Sequence, residues 1–272
     1  MPLEFSIWSG YYYDLSPEQA LARIKKRGIS ATELSDDHGK MLIERSGDPR
    51  EIGRTFGDYA KTLGMAIPQG HLWLGCRLVS NPEAVDILKK WIDLYEAIGI
   101  QNMVLHLDVY NMEDKSIEEM HTANLEKLKE IADYIAGRDI CICLENLFRR
   151  GIDHIDQLLM MLEQIGSEQF GITLDTGHLN IVKTTSQRDF ILAAGSALRA
   201  LHINDNEGEK DQHLMPFGRG TVDFSEVVQA LKEIGYNGIF NYELPGEALF
   251  CPLLVRDRKL RYIKEGYGYF MK

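Results

Sequence analysis

Short apolar runs of about five to seven residues alternate with amphipathic stretches along the whole chain. Residues 3–8 read as a strand, and Ser16-Pro17-Glu18 opens a helix with a capping hydroxyl, a first-turn proline and an acid before Gly28 stops it. Residues 29–35 form the next strand, and a helix runs from Asp48-Pro49 to Gly64. A third strand covers 65–74, and Asn81-Pro82-Glu83 starts a helix that ends at Gly99. The alternation continues with strands over 101–107, 140–146, 171–175, 198–205 and 239–244. Helices follow over 116–137, 152–166, 187–196, 223–235 and 257–266. This makes eight strand–helix units of about 34 residues each (272/8). Strict alternation predicts a parallel sheet, and eight units predict its closure into a single-domain α/β (β/α)8 TIM barrel spanning 1–272. An open doubly wound sheet is disfavoured because no Gly-rich phosphate loop follows the first strand.

Four of these strands end alike. In 171–178, GITLDTGH, the residues Gly171, Thr173 and Asp175 share one face, and Ile172 and Leu174 share the other. Asp175 thus stands at the strand's C-terminal end above small residues. Glu145 stands above Cys143 and Cys141 in ICICLEN, His202 above Ala200 in LRALHIND, and Glu243 above Asn241 in IFNYEL. A barrel gathers its strand C-termini at one mouth, so Glu145, Asp175, His202 and Glu243 face a common centre. Three carboxylates would repel one another there without a cation. Three carboxylates and an imidazole suit one divalent metal, Mn2+, Mg2+, Co2+ or Zn2+, with positions left for substrate oxygens. Taken singly, each residue also fits a salt-bridged or hydrogen-bonded strand end.

A second ring surrounds the first. His71 and His106 fall in strands three and four, Glu33 ends strand two, His178 follows Asp175 by three residues, and Asp211-Gln212-His213 lies after strand seven. These residues suit substrate-oxygen contacts, orientation of the metal ligands or, for Asp211, His213 and His178, an additional metal. The alternative is satisfied polar groups near the mouth. His38, His121 and His154 lie on polar faces and read as solvated surface. Trp8, Trp73 and Phe217 could wall a substrate pocket or simply pack.

Composition adds limits. The chain has 44% hydrophobic and 26% charged residues, as expected of a soluble globular protein. No apolar run approaches the roughly 18–20 residues needed to span a bilayer, so no membrane partner is expected. MPLEFSIWSG lacks the basic and long apolar regions of a signal peptide. The four cysteines form no disulfide framework, and Cys141 and Cys143 read as small barrel-core residues, which fits a cytoplasmic protein. A formal charge of −11 argues against a nucleic-acid surface.

LEN at Glu145, LDTGH at Asp175 and His178, HINDN at His202, DQH at Asp211 and His213, the following GRGTVDF, and YEL at Glu243 appear in this order. With them the chain resembles the xylose-isomerase-like TIM barrel superfamily, in its sugar phosphate isomerase/epimerase branch. The resemblance implies one divalent metal, commonly Mn2+, held by Glu145, Asp175, His202 and Glu243. It implies isomerase or epimerase activity on a sugar, ketose or sugar phosphate, with Glu145 and Glu243 as acid and base through a cis-enediolate. It also implies a small sugar or polyol as partner, with homo-oligomers common. The chain departs from the free-ketose 3-epimerases at Gly208, where they carry a substrate-binding arginine, and at Gly218-Arg219-Gly220, where they carry Gly-Glu-Gly. Arg219 could meet an anionic group of the substrate. A sugar or polyol dehydratase (lyase) on the same metal site is one alternative. A zinc-dependent abasic-site endonuclease is another, since its three-zinc pattern maps onto His71, His106, Glu145, Asp175, His178, His202, Asp211, His213 and Glu243.

Overall fold

The structure, a computed structural model, describes residues 3–109 and 114–271. Its eight strands are β1 (Glu4–Trp8), β2 (Ala31–Leu34), β3 (Ala66–His71), β4 (Asn102–Leu105), β5 (Cys141–Glu145), β6 (Phe170–Asp175), β7 (Leu198–His202) and β8 (Ile239–Tyr242). All ladders are parallel, in the order β7-β6-β5-β4-β3-β2-β1-β8. The seam between β8 and β7 closes through a bridge: the Ile203 N–H donates to the Asn241 carbonyl (2.8 Å) and the Glu243 N–H to the Ile203 carbonyl (3.1 Å). The result is the expected TIM barrel, with helices covering the sheet.

The main helices are α1 (Pro17–Lys26), α2 (Asp36–Ile43), α3 (Pro49–Leu63), α4 (Ala84–Ile98), α5 (Ile117–Ile135), α6 (Ile155–Ile165), α7 (Thr176–Val182), α8 (Gln187–Ala194), α9 (Phe224–Glu233), α10 (Pro245–Ala248) and α11 (Leu253–Phe270). Their ends follow the sequence signals. Ser16 and Gln19, and Ser116 and Glu119, form capping boxes, while Gly64, Gly99 and Gly166 end α3, α4 and α6 in the left-handed conformation.

The strands are apolar on both faces, but unequally. Ile142, Leu144, Ile172, Leu174, Leu201 and Phe240 are fully buried in the large core cluster to which the helices contribute Leu21, Phe56, Trp91, Leu158 and Val227. The barrel interior holds a separate small cluster of Val104, Cys143 and Ala200, with Cys141 packed against it. Small inward side chains leave the barrel axis to polar groups higher up. Cys141 and Cys143 are free thiols 3.9 Å apart, in keeping with small core residues.

Four expectations change. Residues 36–43 form α2, capped by Ser35, whose hydroxyl accepts from the His38 N–H (3.3 Å). His38 is fully buried, not solvated: its ring nitrogens meet the Ser9 hydroxyl (2.9 Å) and the Leu15 carbonyl (3.2 Å). His121 is also buried, with Nε2 2.5 Å from the Gly151 carbonyl. Tertiary partners distant in sequence explain both. The last helix starts at Leu253, earlier than expected, and its Arg256 and Asp257 bind Asp14 (2.6 Å) and Arg23 (2.6 Å) near the chain start.

The close contact of α3 with α4 rests on glycine. A Cβ on Gly53 would lie 2.4 Å from the Leu94 carbonyl oxygen and 2.8 Å from the Ala97 Cβ on α4. Gly53→Ala is therefore expected to destabilise the protein by about 1–3 kcal/mol through overpacking, despite alanine's better helix propensity. Urea unfolding checks this; an unchanged or raised midpoint would contradict the packing.

Candidate metal centre

Glu145, Asp175 and His202 occupy the last positions of β5, β6 and β7, and Glu243 follows β8 by one residue. The strand alternation turns all four to the barrel axis, and one ligand atom from each lies within 4.8 Å of the others. Glu145, Asp175 and His202 are almost wholly buried and Glu243 is 9% exposed. The His202 Nδ1 is the hub, 3.2 Å from Glu145 Oε1 and 3.2 Å from Glu243 Oε2.

Backbone and amide groups fix the set. The Asp175 carboxylate caps α7 by accepting the His178 N–H (2.7 Å), and it accepts the Asn204 amide at its other oxygen (2.8 Å). Asn146 brackets the same residue: its Oδ1 accepts the Asp175 N–H (2.7 Å) and its Nδ2 donates to the Asp175 carbonyl (3.1 Å). The glycine of LDTGH has a steric cause, because a Cβ on Gly177 would lie 1.9 Å from Asn204 Oδ1. Asn146 and Asn204 belong to the site's framework, and sequence reasoning did not single them out. Their signal was present in the tails of LEN and HINDN.

Two further ligand groupings flank the hub. His106 Nε2 lies 2.9 Å and His71 Nε2 3.5 Å from Glu145 Oε2, so His71, His106 and Glu145 form one. Asp175, His178 and His213 form the other, and Asp211 reaches His213 Nε2 at 2.9 Å and His178 Nε2 at 3.6 Å. His178 Nδ1 also meets the Asn146 carbonyl (2.9 Å), and His213 Nδ1 the Glu243 carbonyl (3.1 Å). His213 holds a left-handed backbone (φ 44°) to make this approach.

The remaining expected residues differ in their placement. Glu33 is fully buried inside the barrel below the hub, with Oε2 3.0 Å from His202 Nε2, a place suited to orienting that imidazole. Arg219 stands in solvent, 67% exposed and 3.5 Å from Glu207, and is not brought to the cluster. Phe217 stacks on Phe270 of α11 (4.4 Å between centroids), so it packs on the C-terminal helix and not on the cluster. Trp8 is buried with its indole against Gly10, and Trp73 packs on the core.

Charge governs the protonation states. Burial opposes ionisation of Glu145, but His202, His106 and His178 outweigh it and hold its carboxyl well below the usual range. Burial raises Glu243, with His202 and His213 only partly compensating. Burial lowers His106, and nearby His71 and His178 add to this. For His202 and His178 burial is overcome by the surrounding carboxylates, and both imidazoles rise well above their ordinary value. His71 and His213 rise to about 9 against burial, through Glu145 and through Asp211 and Glu243 respectively. A folded value above the ordinary 6.5 means that the stabilisation is complete below about pH 6.5 and fades as pH rises to about 9. The metal-free protein is therefore expected to lose thermal stability between pH 6.5 and 9. Melting curves in chelator across that window check this, and a melting temperature that rises with pH would contradict it.

A buried set of three carboxylates and one imidazole, converging within 4.8 Å, fits a hard or borderline dication. Among the described residues no helix is long and apolar enough to cross a membrane. The chain is 28% identical over 165 residues to the uncharacterized protein y4fM of Sinorhizobium fredii, covering 59% of this chain and 52% of that one. The alignment thus spans about half of that relative's length. To the L-ribulose-5-phosphate 3-epimerase UlaE of Salmonella paratyphi A it is 25% identical over 243 residues, covering 86% of this chain and 84% of that protein. Among solved structures, a D-psicose 3-epimerase determined in the presence of D-fructose superposes with a TM-score of 0.80 at 16% identity, covering 99% of both chains, a likeness of fold. The model of the xylose isomerase-like TIM barrel family matches residues 21–269, and the chain belongs to that family.

Proposed function

We propose that the protein is a divalent-metal-dependent epimerase or isomerase of a ketose or its phosphate. The observation that carries this reading is the placement of two glutamates, Glu145 and Glu243, each 3.2 Å from the same His202 nitrogen, on either side of a buried ligand set at the barrel mouth. The names of relatives agree: an epimerase of L-ribulose 5-phosphate aligns over most of its length, and a D-psicose 3-epimerase shares the fold.

Glu145, Asp175, His202 and Glu243 would hold one dication, with Mn2+ favoured by the oxygen-rich donors and Zn2+, Co2+ or Mg2+ as substitutes. When bound, it supplies Lewis-acid polarisation of the substrate carbonyl and stabilises charge developing on the oxygen. The protein's own part is proton movement. Glu145 is tied by His106, His202 and His178, whereas Glu243 is held mainly by His202 and keeps some exposure. Glu243 is the freer carboxylate to take the proton from the carbon beside the carbonyl, and Glu145 lies across His202 to return one to the opposite face. Return to the same carbon gives an epimer, and return to the neighbouring carbon gives an isomer. His71, His106, His178 and His213 then bind and orient the sugar hydroxyls at the rim. The free thiols fit a reducing compartment, which supports a cytoplasmic setting.

A second reading draws on one specific observation, the three overlapping ligand groupings around Glu145 and Asp175. A zinc-dependent abasic-site endonuclease would fill all three, although a chain of net charge −11 is poorly suited to a DNA backbone. A sugar dehydratase would use the single-metal site.

Glu243→Gln is expected to reduce turnover of ketoses or ketose phosphates by about 10²–10⁴-fold while the protein stays folded. Elemental analysis of the active wild type is expected to give one metal per chain. Wild-type turnover in the variant would remove Glu243 from the chemistry. Three zincs per chain with cleavage of an abasic duplex would favour the nuclease.

A further inference from the structure

The hub histidine has an anchor beneath it. Glu33 lies on β2 with no exposed surface, level with Trp8 of β1 and Gln69 of β3. Its two carboxylate oxygens lie 3.1 and 3.0 Å from His202 Nε2. Gln69 Nε2 donates to Glu33 Oε2 at 2.7 Å, and the Asn241 amide donates to the same oxygen. Two supports lie farther out. The Ser6 hydroxyl donates to Asn241 Oδ1 (2.8 Å), and Gln69 Nε2 also reaches the carbonyl of Leu201, the residue before His202 (3.2 Å). The His71 ring stacks on His202 at 5.6 Å and 22°.

A carboxylate buried inside a barrel is costly unless its oxygens are fully engaged. Here the amides of Gln69 and Asn241 hold the Glu33 carboxylate against His202. We infer that Glu33 is a positioning residue for the metal centre. By taking the His202 Nε2–H as a hydrogen bond, it fixes the imidazole with the Nδ1 lone pair aimed between Glu145 and Glu243, ready for a cation. This rests on the metal site proposed above. The physical basis is general: an imidazole whose distal N–H is held by a carboxylate is fixed in tautomer and orientation and is a stronger donor through its other nitrogen. In a glutamine, one carboxylate oxygen becomes an amide. That amide must then face the donor groups of Gln69 and Asn241 or the N–H of His202, so the variant loses the grip with almost no change in volume.

Mn2+ affinity, measured by calorimetry on the full chain, tests this with urea unfolding of the metal-free protein alongside. Glu33→Gln is expected to weaken Mn2+ binding by about 10–100-fold in a protein that is still fully folded under the assay conditions. If Glu33→Gln does not fold, Gln69→Met serves, since it keeps the carboxylate but removes one of its two amide clamps; weaker Mn2+ binding is expected. Glu33→Gln affinity within twofold of wild type overturns the inference, as does unchanged affinity in Gln69→Met where that variant is the one tested. A wild-type protein that takes up no Mn2+ overturns the metal site itself, so the two failures are told apart.

Discussion

Charge compensation at the barrel mouth is the constraint on which the rest of the site depends. Glu145, Asp175 and Glu243 converge there with Glu33 close beneath, and the surrounding imidazoles balance them. Burial makes this balance strict, because a charge out of water must be paired or neutralised. It explains why His202 and His178 are driven toward the charged form while Glu145 is held ionised. A dication would do the same work with one particle, releasing the imidazoles to act as neutral donors.

The fold supplies the convergence at little local cost. Small inward residues such as Cys143, Thr173 and Ala200 keep the lower barrel narrow, and the polar strand ends above them need no special backbone. The irregular pieces are concentrated after β6 and β7. There Asp175 caps α7, Gly177 admits Asn204, and His213 adopts a left-handed turn to reach Glu243. The chemistry is thus carried by regular strand ends and trimmed by loops, the usual division in this architecture.

The eight-fold alternation was legible because each strand is a short apolar run and most helices carry a cap, a proline or a terminal glycine. The convergence of Glu145, Asp175, His202 and Glu243 was legible through parity alone. Depth was not. Alternation gives the face of Glu33 but not its height, and the stagger of strands in a barrel puts it level with Gln69, under His202. His38 and His121 sat in polar stretches, and only partners brought by tertiary folding, Ser9 and Leu15 for one and Gly151 for the other, bury them. Helix α2 was missed although Ser35-Asp36-Asp37 is a good start signal, because its apolar content is low. Phe217 and Arg219 lie in a long loop, where no periodicity says which way a side chain turns.

The central claim is proton transfer at a carbon next to a carbonyl, and solvent exchange tests it most directly. The Mn2+-loaded protein would be incubated in D2O with ketoses and ketose phosphates, and label followed by NMR. The account predicts deuterium entering C3 if the protein is an epimerase, or C1 if it is an isomerase, at a rate that falls in Glu243→Gln. Conversion of a ketose to its epimer without uptake of solvent deuterium by wild-type protein, or label entering equally fast in Glu243→Gln, would contradict it.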